Sequence, residues 1–249
     1  MPNYKLTIEY EGTNYHGWQR QKTKVTVQEI IEQGLEKIFN EKIRIMGQGR
    51  IDSGAHALGQ VANFKMEKDF NLLNLKKALN SVLPQDIRIK DAESVGDRFH
   101  ARYLAKARHY RYIIYRGEFS VWLRKFAYFY PYELNIKNMK EAAQYLIGRH
   151  DFSPFQTTGS PVKSPVKTVK SIEIEKGYFD FFGELPVLSF NIEADAFLYR
   201  MVRNIVGTLL EVGRGRIQPA EVKEMLHNKA KRKGQTVPSY GLYLVKVKY

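Results

Sequence analysis

Thr26-Val27-Gln28-Glu29-Ile30-Ile31-Glu32-Gln33-Gly34-Leu35-Glu36-Lys37-Ile38-Phe39 is the stretch on which the fold turns. Val27, Ile30, Ile31, Gly34, Leu35, Ile38 and Phe39 recur at helical spacing, and Thr26 with Glu29 has the form of a capping box. Upstream, Leu6, Ile8 and Tyr10 alternate as one face of a strand. Downstream, Ile43 and Ile45 mark a short strand, and Ala62, Phe64 and Met66 a second one. A helix starts near Asn71, carries Leu72, Leu75, Leu79 and Val82 on its apolar stripe, and is ended by Pro84. Ile87 and Ile89 supply a final strand. Strand, helix, strand, strand, helix, strand is the order of a split βαβ, ferredoxin-like unit.

The second half follows a looser version of that order. Tyr110, Tyr112 and Ile114 alternate along a strand, and Ile136, Met139, Ala143, Leu146 and Ile147 give a helix over 136–147 that Gly148 can cap. Ile172 and Ile174 mark one strand, and Leu188, Phe190 and Ile192 another. A strongly apolar helix is predicted over 197–212, and a short one opens at Pro219, the favoured first-turn position. Leu242 to Tyr249 is a last strand. The expected fold class is therefore α+β. Two ferredoxin-like units, 1–103 and 104–249, would carry mainly antiparallel sheets joined side by side, helices on one face and a catalytic cleft between the halves.

Composition narrows the function. The 249 residues include 40 Lys+Arg against 26 Asp+Glu, a formal net charge of +14. Positive charge on this scale attracts polyanions, of which nucleic acid is the commonest; a Lys-rich, heat-adapted surface is the bland alternative. With no Cys, disulfides, thiolate metal sites and thiol catalysis are excluded, and a reducing cytoplasm is compatible. The N-terminal residues read as a strand and not as a signal peptide. No stretch approaches the ~18 apolar residues of a membrane helix, so no membrane partner is expected. There is no phosphate-binding Gly-x-x-x-x-Gly-Lys-Ser/Thr, no His-Glu-x-x-His and no Gly-x-Ser-x-Gly, and the six histidines have no zinc spacing. Carboxylates, arginines and aromatics remain to carry any chemistry.

Gly49-Arg50-Ile51-Asp52-Ser53-Gly54-Ala55-His56-Ala57, inside a glycine-rich loop over 47–60, is the best candidate. An Arg two residues away favours the charged form of Asp52, and glycines let a ligand approach the backbone closely. Asp52 is either a working carboxylate or the holder of a turn. Tyr110 stacks on a base or is a core aromatic. Arg203 lies beside the apolar stripe of its helix, so it reaches solvent along its stem or pairs with a buried acid, for which Asp52 is the proposed partner. Glu193 and Asp195 share a strand face and imitate a glycosidase pair, with a surface role as the alternative. Gly12–Gln21 interleaves aromatics with polar and basic groups, Phe152–Lys170 reads as a mobile basic surface segment, and Lys229–Lys233 is a solvated face or a phosphate contact.

Gly-Arg-Ile-Asp-Ser-Gly-Ala-His-Ala resembles the Gly-Arg-Thr-Asp-x-Gly-Val-His-Ala signature of the tRNA pseudouridine synthase A family. Tyr15–Gln21, Phe99–Arg102, Tyr110–Tyr112, Met201–Gly207 and Gly241–Val245 look like further family segments in family order, so the resemblance spans essentially the whole chain. It implies isomerisation of uridine to pseudouridine at positions 38 to 40 of the tRNA anticodon stem-loop, by a cytoplasmic homodimer that needs no cofactor or metal. It also implies that Asp52 is the nucleophile, that Tyr110 lies over a flipped-out base, and that Arg203 pairs with the Asp. Arg50 would help to hold the flipped nucleotide, Leu244 would line the pocket, and His56 would belong to the substrate-binding set. Ile51 stands where the signature has Thr, and Ala55 where it has Val; neither change touches Asp52, Gly54 or His56.

Overall fold

The computed structural model describes residues 1–67, 70–159, 164–179, 185–227 and 234–249, which form ten mostly antiparallel strands and five α-helices. Two compact units divide the chain, Met1–Lys106 with Tyr243–Tyr249, and Ala107–Leu242. The sequence pattern puts the boundary at 103/104. The first unit runs β1 (Asn3–Tyr10), α1 (Val27–Phe39), β2 (Met46–Gly47), β3 (His56–Lys65), α2 (Leu72–Val82) and β4 (Ile87–Val95). β1 is central, antiparallel to β3 on one side and to β4 on the other, and β2 lies on the far edge of β3. Tyr4, Leu6, Ile8 and Tyr10 are all buried, as a period-two strand with one core face requires. On α1, Val27, Ile31, Gly34 and Leu35 are buried, and α1 packs beside α2.

Two local expectations fail here, for related reasons. Thr26 precedes α1 in extended geometry, but its side chain makes no capping hydrogen bond, and Glu29 ion-pairs with Arg20 at 3.6 Å. The first amides of α1 find carbonyls instead: Val27 donates to Gly17 (3.3 Å), and Gln28, one of the two amides that a cap would serve, donates to Trp18 (3.0 Å). Ile43 and Ile45 are buried but lie outside β2. The Ile45 amide donates to Glu32 Oε1 (3.2 Å), and its carbonyl accepts from Gln28 Nε2 (3.0 Å). Side chains of α1 thus take the backbone groups that a strand partner would have taken.

The second unit runs β5 (Ala107–Tyr115), β6 (Tyr128–Phe129), α3 (Ile136–Leu146), β7 (Gly148–Asp151), β8 (Val166–Phe179), β9 (Leu185–Ala194), α4 (Met201–Gly213) and α5 (Pro219–His227). Its strands lie in the order β5-β9-β8-β7, antiparallel throughout, with β6 parallel beside β5. α3 packs against α4, α5 and β8. The last strand, β10 (Leu242–Lys248), returns to the first unit and pairs in parallel with the start of β3, Tyr243 opposite His56 and Leu244 opposite Ala57.

α4 begins at Met201, four residues later than the apolar pattern suggests, because Arg200 adopts a left-handed conformation (φ 59°) that breaks the helical path. The 152–170 segment is also not uniformly a surface loop. Phe152 and Phe155 are fully buried, and β8 starts at Val166. Lys229–Lys233 falls outside the described residues.

Candidate functional site

Asp52 sits in the loop joining β2 to β3. Gly47 starts the departure: a Cβ there would lie 2.1 Å from Trp18 Nε1, so only a glycine admits the buried indole. Beyond it, Gln48 still donates to Val61 O (2.9 Å), after which the chain leaves the sheet until His56. The loop is therefore shorter than 47–60, and His56 opens a strand.

The 12–18 segment grips this loop along its length. Trp18 N donates to Ile51 O (3.3 Å), Gly54 N and Ser53 Oγ both donate to Tyr15 O (3.3 Å each), and Gly12 N donates to His56 Nδ1 (3.0 Å). Two glycines make the approach possible. A Cβ on Gly12 would lie 1.8 Å from Ala55 O, and one on Gly17, itself at φ +86°, would lie 2.5 Å from Ile51 O. Gly54 turns the loop at φ +76°, and Ala55 N closes the turn on Asp52 O (3.2 Å). A partly buried carboxylate is thereby presented on a loop held by these contacts.

Supporting contacts reach further. Tyr15 hydroxyl donates to Asp86 Oδ1 at 2.6 Å, and burial, reinforced by that carboxylate, pushes its pKa well above the ordinary tyrosine value. His56 is buried and stacks on Tyr243 at 4.8 Å, so the structure gives it a loop-holding position. Leu244, fully buried, stands opposite Ala57 in the β3–β10 pairing. Arg50 is exposed, with Nε donating to Gln19 Oε1 at 2.6 Å. The first unit thus brings Asp52, Arg50, His56 and Leu244 into one neighbourhood.

Tyr110 and Arg203 belong to the second unit. Tyr110 lies on β5 opposite Ile192, largely buried, with its ring edge-on to Phe197 at 5.1 Å. Arg203 lies in the first turn of α4, and its Nε donates to Val237 O at 2.7 Å. The same helix face holds the 234–238 stretch closely. A Cβ on Gly207 would lie 1.7 Å from Gln235 O, and fully buried Asn204 donates to Phe155 O (2.6 Å) and accepts from Thr236 Oγ1 (2.6 Å). Asn204 is a hub that periodicity overlooks, because an amide inside an apolar stripe adds nothing to a hydrophobic pattern. Glu32, a buried carboxylate on α1, escapes notice in the same way.

The glycosidase alternative loses its pair. Asp195 lies past the end of β9, and its Oδ1 accepts from Thr168 N (3.0 Å) and Ala196 N (2.6 Å), while Glu193 faces Lys170 Nζ at 4.0 Å. Among the described residues no group of three or more His, Asp or Glu is placed to hold a metal ion, and no helix is long and apolar enough to cross a membrane.

The model of a family described as tRNA pseudouridine synthase matches residues 6–104 and 142–249. The chain belongs to that family. It is 46% identical to tRNA pseudouridine synthase A of Acetivibrio thermocellus and 47% identical to that of Thermoanaerobacter sp. strain X514. Each alignment runs over 251 positions and covers all of both chains. The enzyme is accordingly an isomerase acting on tRNA.

Proposed function

We propose that the enzyme converts uridine to pseudouridine at positions 38 to 40 of the tRNA anticodon stem-loop, with Asp52 as the nucleophile and the target base flipped from its stack. The observation that carries this is the Asp52 loop itself, a partly exposed carboxylate on a backbone pinned by Tyr15, Trp18, Gly12 and His56. The reaction breaks the N-glycosidic bond, turns the detached uracil and rejoins it to the ribose through C5, whose hydrogen leaves as a proton while the freed N1 takes one up. No electrons are exchanged. Asp52 engages the reacting nucleotide, Arg50 and Tyr110 hold the displaced base, Leu244 lines its pocket, and His56 keeps the loop in place. Arg203 is the cation assigned to Asp52. Flipping costs a few kcal/mol of stacking, which contacts to aromatic rings and guanidinium planes offset.

The formal charge of +14 accords with a phosphate-rich substrate, whose binding should weaken steeply with salt. The enzyme is assigned to the cytoplasm as a homodimer, by analogy with the family. Tritium release from tRNA carrying 5-³H-uridine, followed by mapping of the pseudouridines, tests the reading. Tritium released with pseudouridine at 38 to 40 supports it. Modification confined to other positions removes the anticodon assignment, and full activity in Asp52→Asn removes the nucleophile.

A further inference from the structure

Glu32 is a nearly fully buried carboxylate on α1, at 4% side-chain exposure, and four donors converge on it. Arg44 Nη1 reaches Oε2 at 2.5 Å and Arg20 Nη1 the same oxygen at 3.1 Å, while Gln28 Nε2 (3.0 Å) and Ile45 N (3.2 Å) take Oε1. The two arginines come from separate segments, and their side chains remain 44% (Arg20) and 63% (Arg44) exposed. Only the carboxylate is buried, and the donors that offset its desolvation fix two arginines whose side chains remain exposed to solvent.

What is positioned lies beside the Asp52 loop. Arg20 follows Trp18 and Gln19, which touch Ile51 and Arg50 directly, and its own amide is held by Gln28 Oε1 at 3.1 Å. Arg44 and Ile45 lead straight into β2, the strand that releases the loop. Glu29 is the other acid near Arg20, at 3.6 Å from Nη2. Arg44 meets the carboxylate through Nη1 while 63% of its side chain stays exposed, and a guanidinium is a planar donor fork of the kind that suits a phosphate.

We propose that Arg44 and Arg20, held by the carboxylate of Glu32, bind a backbone phosphate of the RNA beside the Asp52 loop. Glu32 is then a positioning residue, and the two arginines are substrate contacts outside the base pocket. The inference rests on the reading of tRNA as the substrate at Asp52. It extends that reading by naming where the backbone next to the target is gripped.

Steady-state pseudouridine formation with Arg44→Gln and Arg20→Gln, across salt from about 50 to 200 mM, tests it. Each variant should raise KM about tenfold, keep kcat within about twofold, and lower the slope of log(kcat/KM) against log[salt] by about one. Arg44→Lys should keep the slope and recover part of the KM. Glu32→Gln keeps both cations, so it should raise KM while leaving the slope unchanged. On the wild-type protein, saturating tRNA should protect Arg44 and Arg20 from an arginine-selective dicarbonyl reagent, which needs no variant to fold. Unchanged KM and slope in both Gln variants, or equal modification with and without tRNA, overturns the inference. A wild type that forms no pseudouridine in tRNA overturns the underlying reading instead.

Discussion

Two strands, one from each unit, have opposite fates. In the first unit β2 is two residues long; in the second β8 is fourteen residues long, paired with β7 at its start and with β9 along the rest. β8 spends its backbone groups on a ladder with β9 and carries no candidate chemistry. β2 gives its pairing up after Gly47, and the released chain becomes the Asp52 loop. The edge of β3 that β2 vacates is partly refilled by β10, at His56 and Ala57. A catalytic loop thus arises where sheet pairing is surrendered, and the freed backbone groups of the loop hydrogen-bond to the 12–18 segment instead.

The largest expected effect separates loop from ladder. Asp52→Asn should lower kcat at least about 10³-fold in the tritium-release assay, with the melting temperature little changed. Glu175→Gln, at a β8 carboxylate that accepts from Asn191 at 2.9 Å, should stay within about twofold of wild-type kcat. Equal losses in the two variants would erase the distinction.

Next comes the grip on the loop. Gly12→Ala must displace the Ala55 carbonyl, so urea unfolding should register a loss of roughly 2–4 kcal/mol together with weakened activity. Gly215→Ala has a positive φ of 74° but open space around it, and should lose only about 1 kcal/mol.

A smaller effect is pH-dependent. The folded Tyr15 hydroxyl holds its proton to higher pH than the ordinary 10.0, because burial and then the Asp86 hydrogen bond disfavour the anion. Below pH 10 both folded and unfolded chains keep the proton, and this contribution is constant. Above pH 10 the unfolded chain ionises first, so stability falls, by at most about 1.4 kcal/mol per pH unit, until the folded tyrosine ionises too. Tyr15→Phe should flatten that decline in urea titrations between pH 9 and 11.

The smallest contrast concerns the two helix starts of the first unit. Asn71 accepts from Asn74 N at 3.1 Å, so Asn71→Ala should lower stability by about 1 kcal/mol. Thr26 Oγ1 is buried without a hydrogen-bond partner, so Thr26→Val should be neutral or slightly stabilising in the same measurement.

Much of this architecture was legible in local pattern. The spacing of Val27, Ile31, Gly34 and Leu35, the alternation of Leu6, Ile8 and Tyr10, and the glycine-rich stretch around Asp52 each report an environment only a few residues wide. Such periodicities are set by helix and strand geometry, whatever the rest of the chain does. Arg50, Asp52 and His56 stood out for the same reason, as polar groups among glycines.

Tertiary structure alone decided the rest. Whether Ile43 and Ile45 would pair as a strand depended on Glu32 and Gln28 claiming the Ile45 backbone, and whether Thr26 would cap depended on carbonyls from Gly17 and Trp18. The return of β10 to β3 joins residues nearly two hundred positions apart, which no local window can register. Hydrogen-bond demand is local, but its satisfaction is not. A buried donor takes whichever acceptor the folded chain brings within reach, and here those acceptors came from distant segments.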